Sequence, residues 1–212
     1  MSRITRLIAS MMCGALVLCG SNQTAPKASV VPDPIYSISE MEDIARTLVE
    51  LEEVSKIQFK ISSIRRRIDQ QLAYTIAESV YRNCKEADKD PDMILAVMAI
   101  ESYFNPKAKS PAGARGLMQV MPFWAKEFDI TVADLYDIDI NVKAGIKILT
   151  SYEKLYKRYD LVLTTYNKGP ILVKRDLRNG VDPRTGYSSA IVKMHKRLKR
   201  INFDSEIYLA QK

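Results

Sequence analysis

A single glutamate stands at the end of an apolar run in the middle of the chain. Residues 93–100 read MILAVMAI, Glu101 comes next, and a stretch rich in Gly, Ala and Pro follows. Asp90 and Pro91 predict the start of a helix here, and a helix that is apolar on all sides is a buried one. The negative end of that helix and the loss of solvation both disfavour an ionised carboxylate and raise its pKa. Glu101 is therefore a candidate general acid, the kind of group that protonates the bridging oxygen of a glycoside.

The position of Glu101 alone leaves a second interpretation open. A glutamate at a helix end can be purely structural, capping the helix or pairing with a lysine such as Lys107. Metal chemistry and histidine relays have little support, because His195 is the single histidine and no CxxC motif or Cys/His cluster is present. We therefore predict no metal and no cofactor. Cys84 is expected to be a small buried apolar group rather than a nucleophile.

The elements that must position Glu101 are predicted to be helices. Strand-like alternation is scarce, and apolar residues recur at steps of three and four. Besides the buried helix before Glu101 and a short one from Pro122, we predict a mainly α fold with helices over residues 37–69, 70–85, 141–159, 161–167 and 187–200. The apolar stripe of the first helix shifts phase between Leu51 and Val54, so a long regular coiled coil is not well specified. This helix is expected to pack on the main domain or to bind a partner.

The first residues are typical of an export signal. Arg3 and Arg6 precede the apolar run 7–18, and small or polar residues follow it. The run is too short to span a bilayer, which takes about 20 apolar residues, although an uncleaved membrane anchor stays an alternative. Cys19 also fits a lipoprotein processing site, but Leu18 before it is larger than such sites usually carry. We expect an exported protein of the periplasm or cell envelope, with lipid anchoring at Cys19 as an open alternative.

These patterns divide the chain into five predicted parts. Residues 1–21 are the signal, 22–36 a proline-containing linker, 37–69 an added N-terminal helix, 70–200 the main domain and 201–212 a C-terminal tail. The formal net charge of +7 on 212 residues is typical of chains that meet polyanions such as anionic wall polymers, or simply of a basic surface. No arginine-rich arm or helix-turn-helix spacing is present, so nucleic acid is not an expected partner.

Three blocks of the sequence resemble the soluble lytic transglycosylase family. The first, at residues 101–122, reads ESYFNPKAKSPAGARGLMQVMP and carries the family's Glu-Ser, Phe-Asn-Pro, Gly-Leu-Met-Gln and Met-Pro pieces. The second is NVKAG at residues 141–145, and the third is TYNKGP at residues 165–170. Their order and spacing agree with the family. The resemblance covers roughly residues 70–200 and implies a lysozyme-like transglycosylase domain.

The resemblance also implies roles for individual residues. Glu101 matches the family's single catalytic acid, which protonates the glycosidic oxygen between N-acetylmuramic acid and N-acetylglucosamine. As a carboxylate it then activates the muramic acid 6-hydroxyl, which closes a 1,6-anhydro ring without water. Tyr166 matches a tyrosine whose hydroxyl bonds the acid. Ser110 would bond the acid or the substrate's acetamido group, and the other substrate-binding residues implied are Gln119, Met121, Tyr166 and Asn167.

The predicted function is cleavage of peptidoglycan glycan strands in wall remodelling or local wall opening, with a cell-envelope machine as a candidate partner of the N-terminal helix. Two alternatives stay open: a hydrolytic muramidase of goose-type lysozyme character and an inactive wall-binding adaptor. Lys168 and Ile138 depart from the alanine and proline that are usual in the family. Lys168 is expected to be solvated or to meet an anionic muramyl peptide.

Overall fold

The structure is a computed structural model that describes residues 37–203 of the chain. The helices in this range are α1 (Ile38–Ile64), α2 (Gln70–Ala87), α3 (Pro91–Glu101), α4 (Phe123–Glu127), α5 (Ile138–Glu153), α6 (Tyr159–Lys168), α7 (Pro170–Arg178) and α8 (Gly186–Lys199), with a 3-10 turn at Asp134–Tyr136. No strand occurs in this range, which confirms the predicted mainly α fold. The predicted signal (1–21), the linker (22–36) and most of the tail (201–212) lie outside the described residues.

The chain divides into two units after Glu53, so residues 38–53 of α1 belong to the first unit and residues 54–64 to the second. Within the described part of the first unit, the predicted apolar stripe is exposed, with every side chain at least 41% accessible: Met41, Ile44, Leu48 and Leu51. Within the second unit, the apolar face of α1 is buried, with Ile57 5% and Ile61 0% exposed. No helix in residues 37–203 is long and apolar enough to cross a bilayer.

The end of α1 differs from the predicted helix, which ran to Asp69. The chain leaves the helix after Ile64, and a hydrogen bond of 3.0 Å from the Ile68 amide to the Arg65 carbonyl closes a turn. Asp69 instead caps α2, because its carboxylate accepts a hydrogen bond of 2.8 Å from the Leu72 amide. An N-cap residue has extended backbone, so Asp69 cannot continue a helix from the preceding side.

Helices α5, α6 and α7 also differ from the predicted boundaries. Helix α5 begins at Ile138 instead of Asn141, because Asp137 caps it by accepting a hydrogen bond of 2.9 Å from the Ile140 amide. Helix α7 is absent from the predicted elements, because Gly169-Pro170 predicts only the end of the preceding helix. Gly169 does end α6, with φ of 82°, but Pro170 then occupies the first position of α7, where a missing N–H costs nothing.

The core is built around α3, which is buried along nearly all its length, as the sequence predicts. Ile94, Leu95 and Met98 are each 1% exposed or less. Helix α8 packs against α3 in the antiparallel sense: the last residue of α3 bonds the first turn of α8, while the cap of α3 bonds His195 near the end of α8. Cys84 of α2 is buried in the same core, and burial raises the pKa of its thiol to about 12.

Candidate active site

Glu101 is the last residue of α3, at the point where the chain turns sharply away. The Ser102 amide donates to the Met98 carbonyl at 3.1 Å and ends the helix, and the Ser102 hydroxyl donates to the Leu117 carbonyl at 2.7 Å. Tyr103 and Phe104 follow with φ of 52° and 59°, a region that side chains other than glycine rarely occupy. Such backbone persists only where the surroundings hold it in place.

The end of α1 holds the turn behind Glu101. The Tyr103 hydroxyl donates to the Ile64 carbonyl at 2.8 Å, and the Arg65 guanidinium donates to the Phe104 carbonyl at 2.9 Å. The Phe104 ring is fully buried, which anchors the segment in the core. The last residues of the helix that the sequence analysis treated as an addition therefore support the loop that follows the candidate acid.

The carboxyl group of Glu101 has the electrostatic environment of an acid that keeps its proton. Burial raises its pKa to about 7, and a hydrogen bond from the Tyr187 hydroxyl works in the opposite direction and lowers it. The two oxygens are 2.5 Å apart. Burial disfavours the charged form and the phenol stabilises it, so the group can exist in either state near neutral pH. That balance suits a group that first gives up a proton and then takes one back.

Tyr187, rather than Tyr166, is the tyrosine that bonds Glu101, so the expected bond from Tyr166 is wrong. The Tyr166 hydroxyl donates to the Met118 carbonyl at 2.9 Å. A phenol has one proton to donate, and that proton is already used. Tyr166 nevertheless lies close enough to Glu101 for an electrostatic interaction. Burial raises the pKa of Tyr166 well above the ordinary value, and the negative charge of Glu101 raises it further.

The Gly-Leu-Met-Gln segment is fixed by Asn141, the first residue of the NVKAG block. The Asn141 side-chain oxygen accepts from the Met118 amide at 2.8 Å, and its nitrogen donates to the carbonyls of Arg115 and Leu135 at 2.9 and 2.7 Å. Gly116 has φ of 76°, and a Cβ there would stand 2.3 Å from the Asn141 nitrogen. Both positions are therefore structural, and they set the path of the loop that Tyr166 contacts.

Of the other predicted substrate-binding residues, Ser110, Gln119 and Met121 lie between α3 and α4, and Asn167 lies in the last turn of α6. The Ser110 hydroxyl oxygen accepts from the Ala114 amide at 3.0 Å and closes a turn. The Gln119 side chain donates to the Gly116 carbonyl at 2.8 Å. Met121 is partly exposed and Asn167 is exposed. Within residues 37–203, the hydrogen bond from Tyr187 is the one made to the Glu101 carboxyl group, so substrate contacts stay predictions for these four residues and for Tyr166.

Lys168 and Tyr187 differ from what the sequence predicts. Lys168, the departure from the family's alanine, is not simply solvated, because it pairs with Asp176 at 2.6 Å and donates to the Pro183 carbonyl at 3.3 Å. Tyr187 was missed as a functional residue. The available signal was its spacing with Ile191 and Leu198, which places it on the buried face of the last helix.

The described residues offer no alternative metal centre. No group of three or more His, Cys, Asp or Glu side chains in residues 37–203 is arranged to hold an ion. The site that these residues do form consists of one buried carboxyl group at a helix end, a phenol that donates to it, and a turn fixed from two sides.

Comparison of the sequence with known protein families agrees with a helical domain arranged around one buried carboxyl group. The family described as Transglycosylase SLT domain matches residues 78–189, more than half of the chain. The chain belongs to this family, and the resemblance drawn from the three sequence blocks is confirmed.

Individual relatives match over part of their length. Membrane-bound lytic murein transglycosylase F of Desulfosudis oleivorans is 40% identical over 79 residues, which are 36% of this chain and 16% of that protein. The soluble lytic murein transglycosylase of Escherichia coli K12 is 35% identical over 117 residues, which are 51% of this chain and 18% of that protein. The chain therefore corresponds to less than a fifth of either relative.

A solved structure shows the same fold. The complex of the 70-kDa soluble lytic transglycosylase with bulgecin A aligns over 93% of this chain and 41% of that chain, with a TM-score of 0.53 and 20% identity. At that identity the likeness concerns the fold alone. It confirms the predicted architecture of an all-α, lysozyme-like transglycosylase domain.

Proposed function

We propose that this chain is a peptidoglycan lytic transglycosylase. It cleaves the β-1,4 bond between N-acetylmuramic acid and N-acetylglucosamine and leaves a 1,6-anhydro ring on the muramic acid. The observation that carries the proposal is the Glu101 carboxyl group, buried at the end of α3 with a pKa raised to about 7. The family membership and the named activities of its relatives support the same reaction.

The reaction needs one group that acts in both directions. Protonated Glu101 gives its proton to the glycosidic oxygen as the bond to the anomeric carbon breaks. The resulting carboxylate, stabilised by the Tyr187 hydroxyl, takes the proton of the muramic acid 6-hydroxyl as that oxygen attacks the anomeric carbon. The nucleophile is part of the substrate, so its effective concentration is high without a bound water.

Among the described residues, no second carboxylate contributes to the pKa shift of Glu101, which favours this reaction over hydrolysis. Hydrolytic glycosidases use a pair of carboxyl groups about 5–9.5 Å apart, and a second carboxylate at such a distance would itself raise the pKa of Glu101. Within the described residues, burial and the Tyr187 hydrogen bond are the two causes of the shift, and no neighbouring carboxylate contributes. A goose-type muramidase reaction is the alternative that product analysis must exclude.

Mass spectrometry of digested sacculi tests the product directly. We expect muropeptides with anhydro ends, each lighter by one water than the hydrolysis product. Digestion of the same sacculi by a known muramidase supplies the matched reference masses. If the protein gives only reducing ends, the reaction is hydrolysis and the transglycosylase proposal is wrong.

The pH profile is a second prediction. The acid form of Glu101 is required, so activity should be half-lost near the pKa of about 7 and should then fall about tenfold for each further pH unit. In Tyr187→Phe the carboxylate loses its hydrogen bond, the pKa of Glu101 rises further, and the alkaline limb of kcat/KM moves to higher pH. The maximal rate should fall about tenfold to a hundredfold, the worth of one hydrogen bond to a charged group.

Tyr81→Phe is the control for the loss of a phenol, because the Tyr81 hydroxyl bonds Lys85 and the phenol that bonds Glu101 is that of Tyr187. Its pH profile should match that of the unmodified protein. A wild-type rate that stays flat to pH 10, or a Tyr187→Phe profile displaced toward acid, would contradict the assignment of the acid.

The cellular setting follows from the same proposal. An enzyme that cleaves wall strands works outside the cytoplasm, in the periplasm or cell envelope, where it serves remodelling or local opening of the wall. The predicted export signal agrees, while cleavage or lipidation at Cys19 concerns residues outside the described range. The exposed stripe of α1 that includes Met41 and Leu48 supports a partner in an envelope machine.

A further inference from the structure

The backbone just after Glu101 holds an unfavourable conformation over two residues. Tyr103 and Phe104 have φ of 52° and 59°, in the left-handed region that residues other than glycine rarely occupy. Backbone strain of this kind persists only where the surroundings impose it, and it clusters at functional sites. The contacts that hold these two residues therefore bear on the acid that precedes them.

Two hydrogen bonds connect this strained turn to the end of α1. The Tyr103 hydroxyl donates to the Ile64 carbonyl at 2.8 Å, and the Arg65 guanidinium donates to the Phe104 carbonyl at 2.9 Å. The two bonds run in opposite directions between the same two segments, and together we call them the clasp. Ile64 is the last residue of α1, so its carbonyl has no partner inside the helix and the phenol supplies one.

A purely structural explanation accounts for one of the two bonds. The Ile64 carbonyl needs a partner at the helix end, and the Tyr103 hydroxyl provides it. The Arg65 side chain is different, because it forms no ion pair in residues 37–203 and the partner it does have is the Phe104 carbonyl. Arg65 is also not among the causes of the raised pKa of Glu101. It therefore acts on the turn through geometry and not on the acid through its charge.

The turn decides where the Glu101 carboxyl group lies. Glu101 is the last residue of α3, and helix ends fray because their last carbonyls have no partners in the helix. The direction of its side chain therefore depends on the path of residues 102–104. The partner that the carboxyl group must meet, the Tyr187 hydroxyl, lies 2.5 Å away on α8, and a hydrogen bond of that length tolerates little displacement.

We propose that Arg65 and Tyr103 are positioning residues for the general acid. The clasp fixes the turn after α3 and so holds the Glu101 carboxyl group where it can give a proton and take one back. The proposal rests on the proposed function and adds the end of α1 to the machinery of the active site. Ile64 and Arg65 precede residues 78–189, the range that the family model matches, so membership of the family does not assign them this role.

Steady-state kinetics on glycan strands released from sacculi test the clasp. Arg65→Met removes the donors and keeps an unbranched apolar side chain. We expect kcat to fall at least about tenfold, because a displacement of about 1 Å at a reacting group can cost about a hundredfold, while KM stays unchanged. Arg65→Lys should recover most of kcat, since an ammonium group can donate to the same carbonyl. Tyr103→Phe loses one neutral hydrogen bond and should lower kcat about threefold.

The pH profile separates a positioning role from a merely structural one. Burial is the cause that raises the pKa of Glu101. When the clasp is opened in Arg65→Met, the carboxyl group becomes more solvated, its pKa falls and the alkaline limb of kcat/KM moves to lower pH. The shift is opposite in sign to the one expected for Tyr187→Phe. The phenols of Tyr187 and Tyr166, which interact with the carboxyl group, stay in place in Arg65→Met.

Arg66→Met is the matched control, because Arg66 is the exposed neighbour of Arg65 and its substitution removes the same charge. It should keep the kcat, the KM and the pH profile of the unmodified protein. Wild-type kcat in Arg65→Met would overturn the proposal, and so would equal losses of kcat in Arg65→Met and Arg66→Met. A loss of kcat without any displacement of the pH profile would reduce the clasp to a structural contact and overturn it as well.

One further measurement separates this proposal from the proposed function. Carbon-13 NMR titration of the glutamate carboxyl groups, with the Glu101 signal assigned from Glu101→Gln, gives the pKa of Glu101 without turnover. It remains informative if no strand is cleaved, an outcome that contradicts the proposed function alone. We expect a lower pKa in Arg65→Met than in the wild type, and equal values would overturn the proposal. If Arg65→Met fails to fold, Tyr103→Phe, which keeps its ring, takes its place in the titration with Tyr81→Phe as control.

Discussion

Glu101→Gln is expected to abolish turnover of peptidoglycan while leaving binding to glycan strands intact. Glutamine has nearly the same size and can still accept the hydrogen bond from Tyr187, but its amide cannot release a proton to a leaving group. General acid catalysis contributes about a hundredfold to ten-thousandfold, and here the same residue also serves as the base. We therefore expect a loss of at least about a thousandfold in the release of soluble muropeptides, with an unchanged fraction of protein sedimenting with sacculi.

Glu78→Gln is the matched control, because Glu78 is an exposed acid on α2. It should retain wild-type cleavage and binding. A Glu101→Gln protein that keeps its activity would show that the carboxyl group has only a structural role. If the unmodified protein binds sacculi without cleaving them and Glu101→Gln makes no difference, the chain is a wall-binding adaptor.

The helices were predictable where local chemistry decides them. Asp90 caps α3 through a hydrogen bond of 3.0 Å from the Asp92 amide, next to the proline that the sequence placed in the first turn. The long apolar run of α3 identified the core helix. Errors arose where one residue could serve two elements. Asp69 could extend α1 or cap α2, and Pro170 could follow one helix or begin another, and the local sequence is compatible with either choice.

The acid was predictable and its partner was not. Glu101 is identified by its place after an apolar helix, which fixes both its burial and its position at a helix end. The choice between Tyr166 and Tyr187 depends on how α6 and α8 pack against α3, and no local pattern encodes it. The contact of Arg65 with the Phe104 carbonyl could not be predicted for the same reason, since 39 residues separate the two and only the fold brings them together.

Asn141→Leu is expected to destabilise the fold strongly, because the Asn141 side chain satisfies three backbone groups. The Met118 amide and the Leu135 carbonyl would lose their partner, and the Arg115 carbonyl would keep only the Val120 amide, in a site where Asn141 itself is 1% exposed. Each buried polar group left without a partner costs about 1–3 kcal/mol. Leucine has a similar volume, so loss of packing adds little, and we expect the free energy of unfolding in urea to fall by about 3–5 kcal/mol.

Asn179→Leu is the matched control, because Asn179 is exposed at the end of α7 and the same substitution there should change stability by about 0.5 kcal/mol or less. If the free energy of unfolding of Asn141→Leu falls by less than about 1 kcal/mol, the backbone groups of the loop find other hydrogen-bond partners. The path of residues 115–119 would then not depend on Asn141. The experiment also tests the connection to the site, because Met118 accepts the hydrogen bond of Tyr166. A destabilised but folded variant should therefore lose activity under conditions where it remains native.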